Sequence, residues 1–318
     1  MVGVPGTDCR ARPGNPAESS AIELSPAGTD REFLASVNRC FGAGWGDWVH
    51  RWYLRREFAG RTPDLLVLRE RGRAVAGMGL NYRLVRLATG SRLEVGIITS
   101  AWTLPESRGR GCFQALVRGS APMAARKGCA LLMAFGATEN ASARVMRRCG
   151  ATLFPTAYLG AAPGEEHPSP RDGSRELRVV DVAEIEASST VTGPGSATRF
   201  VYPDAAAWRS QYLRRPYPVQ TLRAGESRII VEQAGDTDRL VLLIGPPSER
   251  RSVLAALASR ARRAGRGFFV FTTDPSDGVM AQETGWEYKA GYLAALALGE
   301  AKAADGLGPW EVQPGDRM

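Results

Sequence analysis

The chain has 318 residues, of which 44% are hydrophobic and 23% charged, and its formal net charge is +8 at pH 7. This length predicts two domains, and the ordinary globular composition excludes a mainly disordered chain. No apolar run approaches the roughly 20 residues of a membrane helix, and residues 1–23 lack the apolar stretch of a signal peptide. We therefore expect a cytoplasmic protein without a membrane partner.

The cysteines, histidines and arginines limit the possible partners. Five cysteines without a C-x-x-C pair and only two histidines predict neither a disulfide framework nor a metal site. Only three of the 41 basic residues are lysine. This balance indicates either an arginine-rich composition or a surface for anions, such as phosphates or an acidic carrier protein. Because no compact basic run is interleaved with aromatic residues, we do not expect a nucleic-acid partner.

Hydrophobic periodicity in the first half of the chain predicts an α/β domain. In chain order we expect a helix at 30–40, a helix at 48–56, strands at 65–69 and 74–84, a strand at 92–103, a helix at 112–126, a strand at 129–137 and a helix at 140–149. Tryptophans near the second helix indicate either core packing or an apolar wall for a substrate. Gly150 is the residue expected to end the last helix.

The second half repeats features of the first in the same order. WVHRWYLRR at 48–56 matches WRSQYLRR at 208–215, and strands carrying Tyr-Leu follow at 158–159 and 292–293. Such an ordered series predicts an internal duplication. We therefore expect a flexible N-terminus (1–29), a first domain (30–162), a linker (163–176), a second domain (177–300) and a loosely held C-terminal tail (301–318).

One strand–turn–helix segment carries a chemical signal. Between the strand that ends near Pro105 and the helix at 112–126 lies the run Arg108-Gly109-Arg110-Gly111. Glycines let the backbone turn tightly and approach a ligand, and the N–H groups at a helix N-terminus attract anions. The segment predicts either a pyrophosphate cradle or a surface turn with exposed arginines.

This segment resembles motif A of the GNAT superfamily of N-acetyltransferases. Arg108-x-x-Gly111-x-Phe113 follows the family pattern, with Phe113 in place of the usual small residue. Downstream, the strand at 129–137, Asn140-x-x-Ala143 and Gly150 resemble motif B. The resemblance covers about 30–160, and 177–299 resembles a degenerate copy because GPPSERRSVLAAL follows its strand at 240–244. It implies an α/β fold of two tandem GNAT-like domains, each with a mixed, mostly antiparallel sheet flanked by helices.

The resemblance also implies an N-acyltransferase. An acyl group, most commonly acetyl, would pass from acyl-CoA to a primary amine of a small molecule, natural product or peptide by direct attack in a ternary complex. Backbone groups of three strand residues would hold the pantetheine arm, six turn residues the pyrophosphate, and one residue further along the pantetheine or thiol. In that order these residues are Trp102, Thr103, Leu104, Arg108, Gly109, Arg110, Gly111, Cys112, Phe113 and Asn140.

The catalytic residues are less defined by the sequence. Many family members place a tyrosine where this chain has Met146, so Tyr158 on the next strand is the candidate acid, or else a core tyrosine. Glu94 is the candidate base, or else a solvated residue at a strand start. Weaker candidates are Glu106, Glu139 and His50 as base and Cys112 as nucleophile.

Other functions share the same scaffold. An acyl carrier protein in place of CoA would suit the positive charge of the chain. A non-catalytic acyl-CoA-binding module or partner subunit would suit the missing tyrosine. DNA binding by the arginine surface would show steep salt dependence.

Overall fold

The protein is described by a computed structural model that covers residues 22–24, 30–42, 44–164, 175–189, 197–299 and 307–317. Most of the N-terminal segment, the middle of the linker and the start of the tail lie outside these residues. No helix in the described part of the chain is both long and apolar enough to cross a bilayer.

The first half folds as the periodicity predicts, with small shifts at the ends of elements. Its elements in chain order are β1 (Ile22–Leu24), α1 (Asp30–Phe41), α2 (Asp47–Leu54), β2 (Asp64–Glu70), β3 (Arg73–Arg86), β4 (Arg92–Thr103), α3 (Cys112–Arg126), β5 (Leu131–Ala137), α4 (Ala141–Arg148) and β6 (Thr152–Ala161). The predicted helices and strands of this half are therefore confirmed.

The second half has the same order of elements with one added strand, β8. Its elements are β7 (Arg178–Val179), α5 (Val182–Ser189), β8 (Arg199–Val201), α6 (Ala205–Tyr212), β9 (Val219–Ala224), β10 (Ser227–Ala234), β11 (Thr237–Ile244), α7 (Pro247–Arg263), β12 (Gly267–Thr272), α8 (Pro275–Thr284) and β13 (Glu287–Ala297). This repeated order agrees with the predicted duplication.

The two halves share one sheet because they exchange their last strands. Within the described residues the strand order is β1-β2-β3-β4-β5-β13-β6-β12-β11-β10-β9-β7, and β8 pairs with β3. β13 pairs with β5 of the first half, and β6 pairs with β12 of the second. The predicted boundary at 162 is therefore a boundary in sequence only, since β6 completes the sheet of the other half.

The exchanged strands also correct one detail of the predicted repeat. Gly150 and Gly285 both follow a helix in the left-handed region, at φ 91° and 69°. Tyr158 lies eight residues after the first glycine, and Tyr292 lies seven after the second. Because side chains alternate across a strand, the two tyrosines lie on opposite faces. The Tyr-Leu match is therefore out of register by one residue.

The sheet carries different helices on its two faces. On one face, Leu153 of β6 packs against the core cluster that includes α3 and α4. Leu159 of the same strand belongs to the cluster that includes α7 and α8. The opposite face is covered by α1 and α2, by α5 and α6, and by buried residues of 307–317. The helices that follow β4 and β11 therefore lie on the same side of the sheet.

The repeated Tyr-Leu-Arg-Arg segments meet where the halves join. Arg56 donates to the Ser210 carbonyl at 2.6 Å, and the Arg215 guanidinium lies 4.6 Å from the Trp52 ring centroid. Arg215 also forms an ion pair at 3.2 Å with Glu232, both side chains being almost fully buried. Arg215 is therefore buried, and Arg56 half-buried, at a contact between the halves.

Two terminal segments are more ordered than the sequence predicts. Ile22–Leu24, within the segment expected to be flexible, forms a strand against β2. In the expected loose tail, Leu307, Trp310 and Val312 are buried. Trp310 packs against Phe154 with ring centroids 6.0 Å apart, so hydrophobic contacts fix this part of the tail.

Candidate functional site

The first half contains a cleft where β4 and β5 separate. The two parallel strands pair only over Val95–Ile98 and Leu131–Ala134, although β4 continues to Thr103 and β5 to Ala137. A β-bulge with Ser100 at φ 47° lies at the point of separation. A bulge bends its strand away from the neighbour. The sequence around residue 100 has no glycine or proline that would have predicted it.

The bulge determines which backbone groups of β4 face the cleft. The Leu104 N–H donates to the Val75 carbonyl of β3 at 2.9 Å. This N–H is therefore not available to a ligand, although the resemblance implied that it would be. Because backbone groups alternate along a strand, the N–H and C=O of Trp102 also point to β3, whereas the N–H of Thr103 points to the cleft. The Trp102 side chain packs edge-on against Phe33, with centroids 5.7 Å apart. Of the three predicted strand residues, Thr103 alone has the orientation to bind a ligand.

The glycine–arginine turn leaves the start of α3 open. Gly109 and Gly111 have φ values of 77° and 78°, and Gly111 is the N-cap of the helix without a capping side chain. A Cβ at either glycine would meet no atom within 4 Å. The first N–H groups of a helix have no intrahelical partner, and the helix dipole adds positive potential there. The turn is therefore shaped to receive an anion, and a side chain at Gly111 would occupy that space.

Ion pairs fix the surroundings of the turn. Arg110 donates to Glu70 at 2.8 Å, and Arg73 donates to Glu106 at 2.8 Å. The hydrogen bond from Arg110 lowers the pKa of the Glu70 carboxyl. Arg108 is exposed, and its Nε donates to the Thr103 carbonyl at 3.4 Å. Glu106 is therefore engaged by arginines beside the turn, which disfavours it as a base.

Cys112 is not an activated nucleophile. Its Sγ donates to the Ser107 carbonyl at 3.5 Å, and burial raises the pKa of the thiol. A helix N-terminus lowers the pKa of a thiol, but here the loss of water around the thiolate outweighs that effect. The thiol would be protonated near neutral pH.

The start of α4 forms another wall of the cleft region. Asn140 is the exposed N-cap of α4, and its side chain makes no capping hydrogen bond. Phe113 is half-buried and packs against the core cluster that contains Met146. The Asn140 amide is thus accessible to a ligand, whereas Phe113 contributes packing.

A tyrosine that the sequence did not single out lies beside α4. Tyr292 of the exchanged strand β13 donates to Ser142 Oγ at 2.8 Å. Its hydroxyl lies over Gly136 of β5, where a Cβ would be only 2.8 Å away. Gly136 is in the part of β5 that no longer pairs with β4. Burial raises the pKa of the phenol. The exchange of strands brings Tyr292 here, and no local sequence signal predicts such an exchange.

The structure places Tyr158 on the opposite face from Tyr292. The Tyr158 ring lies 5.4 Å from that of Phe271 and 5.0 Å from the Arg317 guanidinium. This environment is an aromatic cluster shared with the C-terminal segment. It favours the interpretation of Tyr158 as a core tyrosine.

The candidate bases are also distant from the turn or engaged. Glu94 pairs with Arg61 at 2.5 Å, and nine strand residues at about 3.3 Å each place it roughly 30 Å from Thr103. Glu139 pairs with Lys289 at 2.5 Å. His50 is buried, its Nε2 lies 3.6 Å from Asp30 Oδ2, and burial lowers the pKa of its imidazole. The structure does not bring these residues together at the cleft.

The second half has a corresponding separation of strands, but its own chain fills it. β11 and β12 pair only over Thr237–Arg239 and Gly267–Phe269. There the Leu243 N–H donates to Gln313 Oε1 at 3.0 Å, and the Val312 N–H donates to Thr273 Oγ1 at 3.3 Å. The helix α7 then begins directly at Pro247, after Pro246 as N-cap. The second half therefore has neither the glycine turn nor an open strand edge at this position.

A family model described as acetyltransferase (GNAT) domain matches residues 26–154. This part of the chain is therefore similar to a GNAT domain. The match confirms the resemblance inferred from motifs A and B, and it includes the cleft between β4 and β5 together with the glycine–arginine turn. No curated protein sequence matches the chain.

Solved structures share the fold over both halves. A tandem GNAT protein from the clavulanic acid biosynthesis pathway has a TM-score of 0.57 and 14% identity, covering 89% of this chain and 100% of that one. A GCN5-related N-acetyltransferase from Anabaena variabilis ATCC 29413 has a TM-score of 0.57 and 12% identity, covering 86% and 72%. One from Kribbella flavida has a TM-score of 0.55 and 15% identity, covering 86% and 71%. These similarities establish the fold and confirm the predicted α/β class with GNAT-like halves.

Proposed function

We propose that the protein is an N-acyltransferase that moves an acyl group, most commonly acetyl, from acyl-CoA to a primary amine. The observation that carries this proposal is the uncapped start of α3, where Gly109 and Gly111 leave an open, positively polarised turn at the end of a strand cleft. A pyrophosphate matches such a turn in charge and shape. The match of residues 26–154 to the GNAT domain model supports the same chemistry.

The residues of the cleft divide the binding of acyl-CoA among them. The N–H groups from Gly109 to Phe113 would receive the pyrophosphate, and Arg108 would add a charge-assisted hydrogen bond. Thr103, on the cleft-facing edge of β4, would bind the pantetheine arm through its backbone. Asn140, whose amide has no capping role, would bind the pantetheine or position the thiol.

Direct attack by the amine requires proton transfers that few groups here can perform. Tyr292 is the candidate acid for the departing thiolate, because its raised pKa keeps the phenol protonated near neutral pH. It replaces Tyr158 in this role. The ion pair of Glu94 with Arg61 and its distance from the turn argue against it as the base. We propose that water accepts the proton of the amine.

The second half is proposed to bind no acyl-CoA. Gln313 already accepts the Leu243 N–H on the strand edge equivalent to the ligand-binding edge of β4. The turn before α7 has one glycine, Gly245, followed by Pro246 and Pro247, and lacks the Gly-x-Gly spacing of the first half. Instead, this half contributes β13, and with it Tyr292, to the first cleft.

Calorimetric titration with acetyl-CoA, malonyl-CoA, a medium-chain acyl-CoA and free CoA tests the proposal. We expect one site per chain and a preference for one acyl group, followed by a search for amine acceptors. An Arg108→Glu variant should lose binding, because it places a carboxylate at the anion site. An exposed arginine outside the cleft, changed as Arg118→Glu, is the matched control.

Failure of every CoA ester to bind would contradict the proposal. Binding without turnover of any amine would favour a non-catalytic acyl-CoA-binding module. Transfer only from an acylated carrier protein would identify the carrier as donor.

A further inference from the structure

Two arginines of the second half have neither an ion pair nor a hydrogen bond within the part of the chain that the structure describes. They are Arg239 of β11 and Arg317 of the C-terminal segment, and both are half-buried. The Arg317 guanidinium lies between 5.0 and 5.8 Å from three ring centroids, those of Tyr158, Phe269 and Phe271. Aromatic faces attract cations but supply no counter-charge. Both guanidinium groups can therefore still bind an anion.

The two arginines lie beside each other on one face of the sheet. Arg239 is directly opposite Phe269 of β12, and the Arg317 guanidinium lies 5.8 Å from the centroid of that ring. Directly opposed residues project from the same face. Burial raises the pKa of the Tyr53 hydroxyl in α2, and the charges of both arginines act on the same hydroxyl in the opposite sense. The two guanidinium groups therefore meet between α2 and the sheet of the second half.

The buried carboxylates of this region are already bound to protein groups. Glu232 is directly opposite Arg239, but it pairs with the buried Arg215 at 3.2 Å. Asp316, which precedes Arg317 in the chain, accepts hydrogen bonds from two tyrosine hydroxyls. Neither carboxylate is therefore a partner of the two half-buried arginines.

The exposed charges on this face belong to β13. Glu287 and Phe269 are both opposite Gly160, so Glu287 lies two strand spacings from Phe269, roughly 10 Å. Lys289 projects from the same face and pairs with Glu139. The exposed charges of β13 therefore leave the two arginines without a close counter-charge.

The arginines are close to the cleft between β4 and β5. Phe271, over which Arg317 lies, packs edge-on against Phe135 of β5 with ring centroids 5.7 Å apart. Phe135 follows Ala134, the last residue of β5 that pairs with β4, so it lies at the open edge of the cleft. Its half-buried side chain is on the face opposite to α3 and α4. A ligand can therefore reach the cleft from this face while the start of α3 receives the pyrophosphate.

The first half provides an aromatic wall on the same face. Trp45, just before α2, is half-buried and stacks on Tyr53 with ring centroids 4.7 Å apart. Because the charges of both arginines act on Tyr53, this wall is beside them. Aromatic surface with a few polar groups is typical of a site for a small organic molecule.

Resting on the acyl transfer proposed above, we propose that the amine acceptor carries a carboxylate or phosphate group, which binds Arg239 and Arg317. Guanidinium groups hold both anions through charge-assisted and often bidentate hydrogen bonds. The body of the acceptor lies against Phe135 and the Trp45 ring, and its amine points into the cleft between β4 and β5. The second half thus selects the acceptor for the first.

Calorimetric titrations with two matched pairs of amines test this assignment. Phenylalanine is compared with phenethylamine, and O-phosphoethanolamine with ethanolamine, so that each pair differs in the anionic group. The full chain is used without acyl-CoA, both unchanged and as Arg108→Glu, in which the glycine–arginine turn no longer attracts an anion. We expect saturable binding of at least one anionic amine by both proteins. The pair with the larger preference distinguishes carboxylate from phosphate.

Initial rates of acetyl transfer from acetyl-CoA to the same four amines give the second measurement. In the preferred pair, kcat/KM should be at least about tenfold higher for the anionic amine, the value of one charged hydrogen bond.

Arg317→Gln and Arg239→Gln are the decisive variants. Each should reduce the preference for the anionic amine at least about tenfold, and two independent positions guard against a folding defect in either variant. Arg317→Lys keeps the charge but loses the planar fork of donors, so it should have an intermediate preference. Arg118→Gln removes an exposed charge from α3, on the opposite face, and should leave the preference unchanged.

Three results would overturn the proposal. Equal or weaker binding of both anionic amines, relative to their partners without the anion, would remove the anion from the acceptor. An unchanged preference in both Arg317→Gln and Arg239→Gln would place the anion elsewhere. Loss of binding in the Arg108→Glu protein would assign it to the turn. Because these titrations omit acyl-CoA, their failure leaves the acyl-CoA titration unaffected, and failure of that titration leaves these intact.

Discussion

The clefts of the two halves are built from the same elements and differ in what lies in them. In the first half, strands β4 and β5 separate around a bulge and an uncapped glycine turn starts α3. In the second, β11 and β12 separate similarly, but Pro246 is the N-cap of α7 and the C-terminal segment bonds to the strand edge. A GNAT-like scaffold therefore does not define a binding site by itself. We propose that the turn and the free strand edge do.

The largest difference between the clefts should appear when the glycine turn is blocked. Gly111→Glu puts a carboxylate and a side chain at a left-handed position where an anion is expected to bind, so acyl-CoA binding should be abolished. Ser248→Glu makes the matched change at the exposed start of α7 and should leave binding unchanged. Calorimetry measures both. Normal binding by Gly111→Glu would remove the distinction between the clefts.

The C-terminal segment should contribute substantially to stability if it is an integral part of the second half. Trp310→Ala removes a buried aromatic side chain that contacts Phe154 and Phe200, so we expect a loss of about 3–5 kcal/mol in the free energy of unfolding. Denaturant unfolding measures it. An unchanged midpoint would mean that the segment does not occupy the cleft in solution. Substitution at the exposed residue Glu287 is the control.

Tyr292 tests whether the second half takes part in the chemistry of the first. Tyr292→Phe keeps the ring and removes the hydroxyl, so kcat should fall by about 10²- to 10⁴-fold with little change in acyl-CoA affinity. Tyr158→Phe, on the opposite face, should leave kcat unchanged. The pH dependence of kcat separates the two roles, because loss of a proton donor removes a high-pH limb. Equal kinetics in both variants would argue for unaided departure of the thiolate.

Asp316 should make the stability of the protein fall as the pH rises through the pKa of this carboxyl group. Burial raises its pKa to about 6, against 3.8 for the free side chain. Since the folded state holds the proton more tightly, the stabilisation is fully present below about pH 4 and is lost as the pH rises through about 6. Asp316→Asn should flatten the unfolding free energy over this interval. An identical slope in the variant would contradict the buried position of the carboxyl group.

The smallest effect is expected at Glu94. Glu94→Gln removes a partly exposed ion pair with Arg61, which is worth about 0.2–1 kcal/mol. We expect kcat and its pH profile to stay unchanged because the residue lies far from the turn. A fall in kcat with a shifted profile would restore Glu94 as the base.

Local patterns in the sequence were sufficient to predict most of the helices and strands and the glycine–arginine turn. Alternating apolar residues predicted β4 to the residue, and Gly111 identified the start of α3. The bulge at Ser100 could not be predicted because its strain is maintained by pairing with β3. Tyr292 could not be predicted because its position depends on contacts between β13 and β5, about 150 residues apart in the chain. Sequence spacing carries no information about such an exchange.

The exchanged strands have a consequence for how the chain acquires its structure. During synthesis the first half emerges with the outer edge of β5 unpaired, and its partner β13 (Glu287–Ala297) is made only about 150 residues later. Contacts between distant segments pay loop-closure entropy first and form slowly. An exposed strand edge is meanwhile a template for other chains. We expect the nascent first half to aggregate or to require a chaperone until the last strand arrives, so that separately expressed halves are poor substitutes for the whole protein.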